Sequence, residues 1–416
     1  MEAFSSSLNL FVNYVMNKKK WYAWHSLAGI KLSILICFIL LTGTLAVISH
    51  EIDWLFNSSQ RVLPPVSSSD INWSKVYQSA YKQDDTSLIK SINAPVDNWF
   101  AVEVIRVNDQ EQRYREFYHP VTGQYQGKGR WYNWQRFFRM SHRHLMMPTI
   151  YGVTIVGIVG LVMFFSLISG FFIIPQWWKA FFRKPRINNR KTFWNDCHRL
   201  FGLWGSWLLF TVCITGTWYL IEVWGGNASF PEQDIPVINK VDQVIFKTSQ
   251  AIFETTIKSV STYHDLSIKR IILPTSEEHI IIVQGQNDTV LVRDRANNVI
   301  FDSINGQYLS RRIAHEQSMH VRISEAADPL HFGVWGGIYT KILYFIFGSI
   351  LCALAISGTY LYGLRHYKSQ RNEFNLVRKT WKASWLGAGR WKWFSIVVIS
   401  IMFILTSLIF TNYVLI

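Results

Sequence analysis

The sequence predicts an α-helical integral membrane protein with five transmembrane helices, built as a duplicated helix–domain–helix unit with two small α+β domains outside the membrane. Three observations predict it. Five windows are long and apolar enough to cross about 30 Å of hydrocarbon. Lysine and arginine cluster in the short segments between those windows, and the helices and outer domains echo one another in the same order along the chain. The composition agrees, because 49% of residues are hydrophobic and only 17% charged, against about 25% charge in an ordinary soluble chain. Aromatic residues make up 16%, with 19 Trp, which excludes disorder.

The apolar windows run over 26–49, 150–174, 200–223, 338–362 and 394–416. Lys31, Glu222 and Lys341 fall near their ends, where a charge can reach the interface. The first window begins too late and runs too long for a cleaved signal peptide, and it lacks a small-residue cleavage site. The expected organisation is an N-terminus and first span (1–49), an outer domain (50–140), the second span (141–175), a linker (176–199), the third span (200–224), a second outer domain (225–329), the fourth span (330–364), a linker (365–392) and the fifth span (393–416).

The net charge of +15 has a definite place. Residues 1–24 carry +2, the linker 176–199 carries +6 and the linker 365–392 carries +7, while the long stretches 51–139 and 225–328 come to +1 and −3. Short positive segments stay in the cytoplasm, so the N-terminus is expected inside and both long segments outside. The basic balance is thus a topology signal, and no nucleic-acid partner is expected; the partner implied by composition is membrane lipid. Four cysteines (Cys37, Cys197, Cys213 and Cys352) lie in or beside apolar segments and supply no disulfide framework.

The repeat is specific. The first helix reads His25-Ser-Leu-Ala-Gly29 and later Thr42-Gly43-Thr44; the third reads His198-Arg-Leu-Phe-Gly202 and later Thr215-Gly216-Thr217. In both, the histidine precedes one glycine by four residues and the second by eighteen. Gly160 and Ser169-Gly170 in the second helix match Gly348 and Ser357-Gly358 in the fourth. Each outer domain ends a β-rich run with a related turn, Val121-Thr-Gly123-Gln124-Tyr125 and Ile304-Asn-Gly306-Gln307-Tyr308. The first domain is expected to hold a helix over 74–83 and strands around 99–107 and 114–118. The second is expected to hold a helix over 241–256 and strands over 268–273, 279–284 and 289–293.

Position sorts the twelve histidines. His25 and His198 fall at one depth near the cytoplasmic face. His142 or His144 and His331 fall at one depth near the outer face. Relation by an approximate two-fold axis along the membrane normal is what two axial imidazoles need, one on each side of a haem iron, so two haems are expected, one near each face; the resemblance below implies that they are haem b. The choice between His142 and His144 is open, with His142 preferred; two residues apart on a helix, they project about 200° apart. Arg139 and Arg143 at the outer site, and Lys18–Lys20, Lys31 or Arg199 at the inner one, are candidates to pair with haem propionates, each also readable as an interfacial cation. No Ser-His-Asp, HExxH or phosphate-loop pattern appears, and no residue is assigned as catalytic.

These residues together resemble the PepSY-associated transmembrane helix proteins: the His25 and His198 helices with their Thr-Gly pairs, the His142-Arg-His-Leu stretch, Leu330-His331-Phe-Gly and the two Gly-Gln-Tyr turns. The resemblance covers about residues 18–366, the outer domains resembling PepSY modules and the fifth helix exceeding the four-helix plan. It implies a bacterial inner-membrane protein similar to dihaem ferric-siderophore reductases, with His25 paired to His198 and His331 paired to His142 or His144. On that reading the protein is an oxidoreductase that takes electrons from a quinol or a cytoplasmic flavoprotein and reduces a ferric siderophore in the periplasm, releasing Fe(II) for iron uptake. The chelate is expected near Trp131, Trp134, Trp335 and Tyr151. Two rival readings are a membrane-anchored peptide- or partner-binding module without redox activity, and a transporter of the iron complex.

Overall fold

A computed structural model describes residues 18–174, 176–233, 248–275, 279–366 and 376–414. Residues 241–247 of the expected second-domain helix, residues 367–375 of the second basic linker, Glu2 and the side chain of Lys18 lie outside the described residues. The chain divides into two compact units, a helical one of Met1–Ile48, Phe137–Asn227 and Tyr339–Ile416, and a sheet unit of Ser49–Arg136 and Ala228–Ile338.

In chain order the elements are α1 (Lys18–Lys31), α2 (Ser33–Val47), α3 (Ser49–Phe56), α4 (Trp73–Gln83), β1 (Leu88–Asn93), β2 (Val102–Val107), β3 (Arg113–Tyr118), β4 (Tyr125–Arg130), α5 (Trp134–His144), α6 (Thr149–Ile173) and α7 (Arg190–Ile221). They continue as α8 (Gln250–Tyr263), β5 (Ser267–Ile272), β6 (Ile280–Gln286), β7 (Asn297–Asp302), β8 (Tyr308–Arg312), α9 (Met319–Phe332), α10 (Gly337–His366), α11 (Leu376–Gly387) and α12 (Trp391–Val414).

Four helices, α6, α7, α10 and α12, are long and apolar enough to cross a membrane, and α1 with α2 passes the same test as one span bent by 69°. The expected straight first span is therefore broken. α2 is almost wholly apolar, whereas α1 carries Lys19, Lys20, His25, Ser26 and Lys31. Leu32 at the break leaves helical geometry (φ −105, ψ 14), and its carbonyl accepts the Ile36 N–H at 2.8 Å to start α2. Lys31 donates to the Gly387 carbonyl at 2.9 Å, a cation at the carbonyl end of α11. The core of this unit joins Leu35, Ile39, Met163, Leu209, Cys213, Leu351 and Met402. α11 falls inside the linker read as merely basic: Ser384 donates to the Thr359 carbonyl of α10 at 2.7 Å, and Gly363 lies against the Thr380 carbonyl. Small residues let these two helices approach closely.

The sheet unit corrects the expectation of two separate small domains. All eight strands form one antiparallel sheet in the order β4-β3-β2-β1-β5-β6-β7-β8. The modules join where β1 pairs β5, with Ile92 opposite Ile271 and Asn93 opposite Arg270. α4 and α8 bury Tyr77 and Phe253, whose rings stack at 4.0 Å and 3° over Ile92, Val104, Val283 and Phe301. Two such helices on one sheet face share a single core, so neither half is a closed domain by itself. The repeated turns are the same in hydrogen bonding: His119 N–H donates to Gln124 O and Asp302 N–H to Gln307 O, both at 2.9 Å. Gly123 and Gly306 take φ +71 and +74, the left-handed region that favours glycine. The expected strand over 289–293 does not form. Leu291 has φ 56, Val292 is buried beside Ala296 and Ala314, and Arg293 is tied to Glu325 of α9 at 2.8 Å. The strand is instead β7, and β1, β4 and β8 also escaped the sequence reading.

Candidate functional site

His25 lies on α1 and His198 on α7, and the fold brings their rings to 6.2 Å between centroids with planes at 73°. Both line a cavity of about 300 Å³ inside the helical unit, between α1, α2, α6, α7 and α10, a size within the range of cofactor pockets. Its walls are largely apolar, with Ile36, Leu40, Met163, Leu203, Leu209 and Leu351 among them.

Each ring is held by its Nδ1. His25 Nδ1 donates to the Ser166 carbonyl and the Ser169 hydroxyl, both at 3.0 Å, while the Ser169 hydroxyl itself donates to Ser166 O at 2.9 Å. His198 repeats this against Leu354 O at 3.1 Å and the Ser357 hydroxyl at 3.0 Å, with Ser357 donating to Leu354 O. A carbonyl oxygen can only accept, so the proton belongs on Nδ1 and each Nε2 keeps its lone pair on the far side of the ring. This is how metal-ligating histidines are generally oriented. Two metal–nitrogen bonds of about 2 Å, with roughly one ångström more from each nitrogen to its ring centre, put coaxial imidazoles about 6 Å apart, which matches the observed spacing.

The Ser-Gly pairs seen as an echo in the sequence thus acquire a job. The serines, both fully buried, receive the ring proton, and the glycines give the imidazoles room. A Cβ at Gly358 would lie 2.8 Å from His198 Cε1, and one at Gly170 would lie 3.8 Å from His25 Cε1. The Thr-Gly-Thr echo works differently. Thr42, Thr44, Thr215 and Thr217 each donate to their own helix one turn back, and Gly43 is where the next histidine rests.

That histidine is His142. Its Nδ1 donates to Ile39 O at 2.9 Å, and a Cβ at Gly43 would come within 2.6 Å of its Cε1. It has the same carbonyl anchor and glycine seat as His198. His144, two residues on, has a buried Nδ1 without a hydrogen-bond partner among the described residues, and its backbone packs against Gly152. His331 ends α9 in the sheet unit, beside Phe332 at 5.6 Å and two residues before the left-handed Gly333. α9 is fixed there by Arg293, which bonds Glu325 at 2.8 Å and Asp328 at 3.1 Å, with Arg295 on Glu325 at 3.1 Å. His142 belongs to the helical unit and His331 to the sheet unit.

The profile of the family described as the PepSY-associated TM region matches residues 22–365. The chain belongs to that family. A search of curated proteins finds no match. As a member of the PepSY-associated family with several apolar helices, it is a multi-pass membrane protein.

Sequence reasoning did not single out Tyr22, Asn195 or Arg365, all of which line the cavity with Arg199. A signal was present: Tyr22 and Asn195 each stand three residues before a cavity histidine, on the same helix face. Lys31, read as a candidate anion partner, does not line the cavity; Arg139 and Arg143 are exposed. Trp131, read as part of a docking area, is occupied by the guanidinium groups of Arg136 at 3.4 Å and Arg115 at 5.0 Å. Among the described residues no group of three or more His, Cys, Asp or Glu side chains could hold a metal ion.

Proposed function

We propose that this PepSY-associated protein is a b-type dihaem membrane oxidoreductase of the bacterial inner membrane, passing electrons outward to reduce a ferric siderophore in the periplasm. The observation that carries the reading is the pair His25 and His198, which line one largely apolar cavity with ring centroids 6.2 Å apart and both Nδ1 atoms anchored. Haem bound there would supply reversible one-electron transfer.

The chain's own residues do the rest. Ser166, Ser169, Leu354 and Ser357 fix both tautomers, so that two lone pairs stand ready without the loss of a proton. Carbonyl acceptors behind an imidazole raise its basicity as a ligand. The apolar walls exclude water, a burial that tunes redox potential. The second haem rests on the resemblance, which implies His331 with His142 or His144; the Ile39 carbonyl and the seat at Gly43 favour His142 of those two. The positive linkers support a cytoplasmic N-terminus and periplasmic outer modules. Siderophore reduction rests on the resemblance and on simple chemistry: Fe(II) is the weaker Lewis acid, and hard oxygen chelators release it more readily. A quinol or a cytoplasmic flavoprotein would be the electron donor.

The test is the absorption spectrum of the detergent-purified protein, oxidised and then reduced, with a haem-to-protein ratio. Two low-spin b-type haems per chain are expected, with one lost in His25→Ala and the other in His331→Ala, and reduction of a ferric siderophore by the reduced protein. A protein that stays colourless when haem is supplied during expression would refute the proposal and favour a partner-binding role for the sheet unit.

A further inference from the structure

The cavity has a polar end that neither axial histidine uses. Among the described residues lining it, the charged ones besides histidine are Arg199 and Arg365, and none is Asp or Glu. Arg365 stands seven residues beyond Gly358 on α10, two turns on. Its Nη2 donates to Asn195 Oδ1 at 2.9 Å, and its guanidinium lies over the Tyr22 ring at 4.6 Å. Since Tyr22 and Asn195 lie one turn before His25 and His198, these contacts gather three polar side chains at one end of the cavity.

Two features of this end suit it to bind an anion. The Tyr22 hydroxyl is buried with no hydrogen-bond partner among the described residues, and so is Nε of Arg199. An unsatisfied buried polar group is destabilising and calls for an explanation. The charges do not cancel either. Asp196 is shared by Arg199 at 3.1 Å and Arg186 at 2.9 Å, so one carboxylate serves two cations. Arg365 has a neutral partner in Asn195 and an aromatic one in Tyr22.

We infer that Tyr22, Arg199 and Arg365 form a carboxylate-binding clamp that takes the propionates of the haem held by His25 and His198. The inference rests on the haem reading above and adds the orientation: carboxylates toward Arg365 and Asn195, the apolar edge toward Ile36, Leu40 and Met163. Arg365 would bind one carboxylate through donors that Asn195 leaves free, and the Tyr22 hydroxyl would donate to the same group. Charge-assisted bonds of this kind are about twice as strong as neutral ones.

The test is a spectroscopic redox titration of the full-length, haem-loaded protein. A cation beside the propionates disfavours the more positive ferric state. Arg365→Leu should therefore move one of the two midpoint potentials negative, by about tenfold in the equilibrium, or 59 mV for a one-electron couple. Tyr22→Phe should move it the same way by less, and Arg365→Lys should restore most of the shift. In a His25→Ala background, which keeps only the other haem, Arg365→Leu should move nothing. Unchanged potentials in both Arg365→Leu and Tyr22→Phe, with two haems retained, overturn the clamp while leaving the haem reading intact; so does a shift that persists in the His25→Ala background. A phospholipid headgroup offers similar anionic oxygens, and a shift that appears only when anionic lipid is added back to lipid-free micelles also overturns it. Wild-type protein without haem overturns the haem reading itself.

Discussion

The two halves of the repeat seat their histidines with unequal room, and one substitution made in both should have opposite results. A Cβ at Gly358 would lie 2.8 Å from His198 Cε1 and 3.4 Å from its Nδ1. His198 cannot simply retreat, because its Nδ1 is bonded to Leu354 O at 3.1 Å and to the Ser357 hydroxyl at 3.0 Å. Overpacking of this kind costs about 1–3 kcal/mol, equivalent to a roughly 5- to 150-fold loss in affinity for anything that needs the ring in place. At Gly170 the new Cβ would meet His25 Cε1 at 3.8 Å, ordinary contact, and alanine is the better helix former by about 1 kcal/mol. Gly358→Ala should lower the detergent-solubilised melting temperature and, on the proposed haem reading, weaken retention of one haem, whereas Gly170→Ala should hold or raise the melting temperature and leave haem retention unchanged. Equal effects of the two substitutions on melting and haem retention would refute the argument that the ring seats differ.

The sheet unit makes three further predictions. Asp53 is buried, which pushes its carboxyl up to about 6 against the two backbone N–H bonds it accepts from Trp134 and Gln135. The folded state then holds this proton more tightly than the unfolded chain does. Its contribution to stability is therefore fully present below about 3.8 and lost as pH rises through about 6, and Asp53→Asn should flatten that part of a stability–pH curve from chemical denaturation. Arg106 and Glu116 pair at 2.6 Å with both side chains fully buried. Glu116→Leu alone strands a buried cation and should cost about 3–5 kcal/mol, while Arg106→Met with Glu116→Leu should recover most of it in the same denaturation assay. Arg293→Ala removes the ties that hold α9 to the strand connection through Glu325 and Asp328. If the proposed haem reading holds, it should loosen His331 and lower the haem-to-protein ratio by part of one haem, while leaving the spectrum of the haem assigned to His25 and His198 unchanged.

Much of the architecture could be read from local pattern. Hydropathy located α6, α7, α10 and α12 to within a few residues at most ends, although α7 begins ten residues before its apolar window, because its first turns are polar and lie beyond what an apolar scan detects. The turn pairs at Gly123 and Gly306 were legible because a left-handed residue has a composition signal. β7 was not, since Asn297 and Asn298 open it with low strand propensity and tertiary pairing to β6 supplies the ladder. The 69° bend after α1 was hidden from an apolar scan, and beside it Lys31 bonds the Gly387 carbonyl, 356 residues away, a contact that no local window contains.

The sequence by itself determined the membrane-spanning class, the charge asymmetry, the repeat and the set of histidines worth attention, because hydropathy, charge and spacing are properties of neighbours along the chain. Only the tertiary structure decided that two expected outer domains share one sheet, that the His25 and His198 rings stand 6.2 Å apart at one cavity, and that the carbonyls of Ser166 and Leu354, more than 140 residues away, fix which nitrogen carries the proton. Those outcomes depend on which helix faces pack together and how closely. That is set by side-chain shape summed over the whole core, a quantity that no local window of the sequence contains.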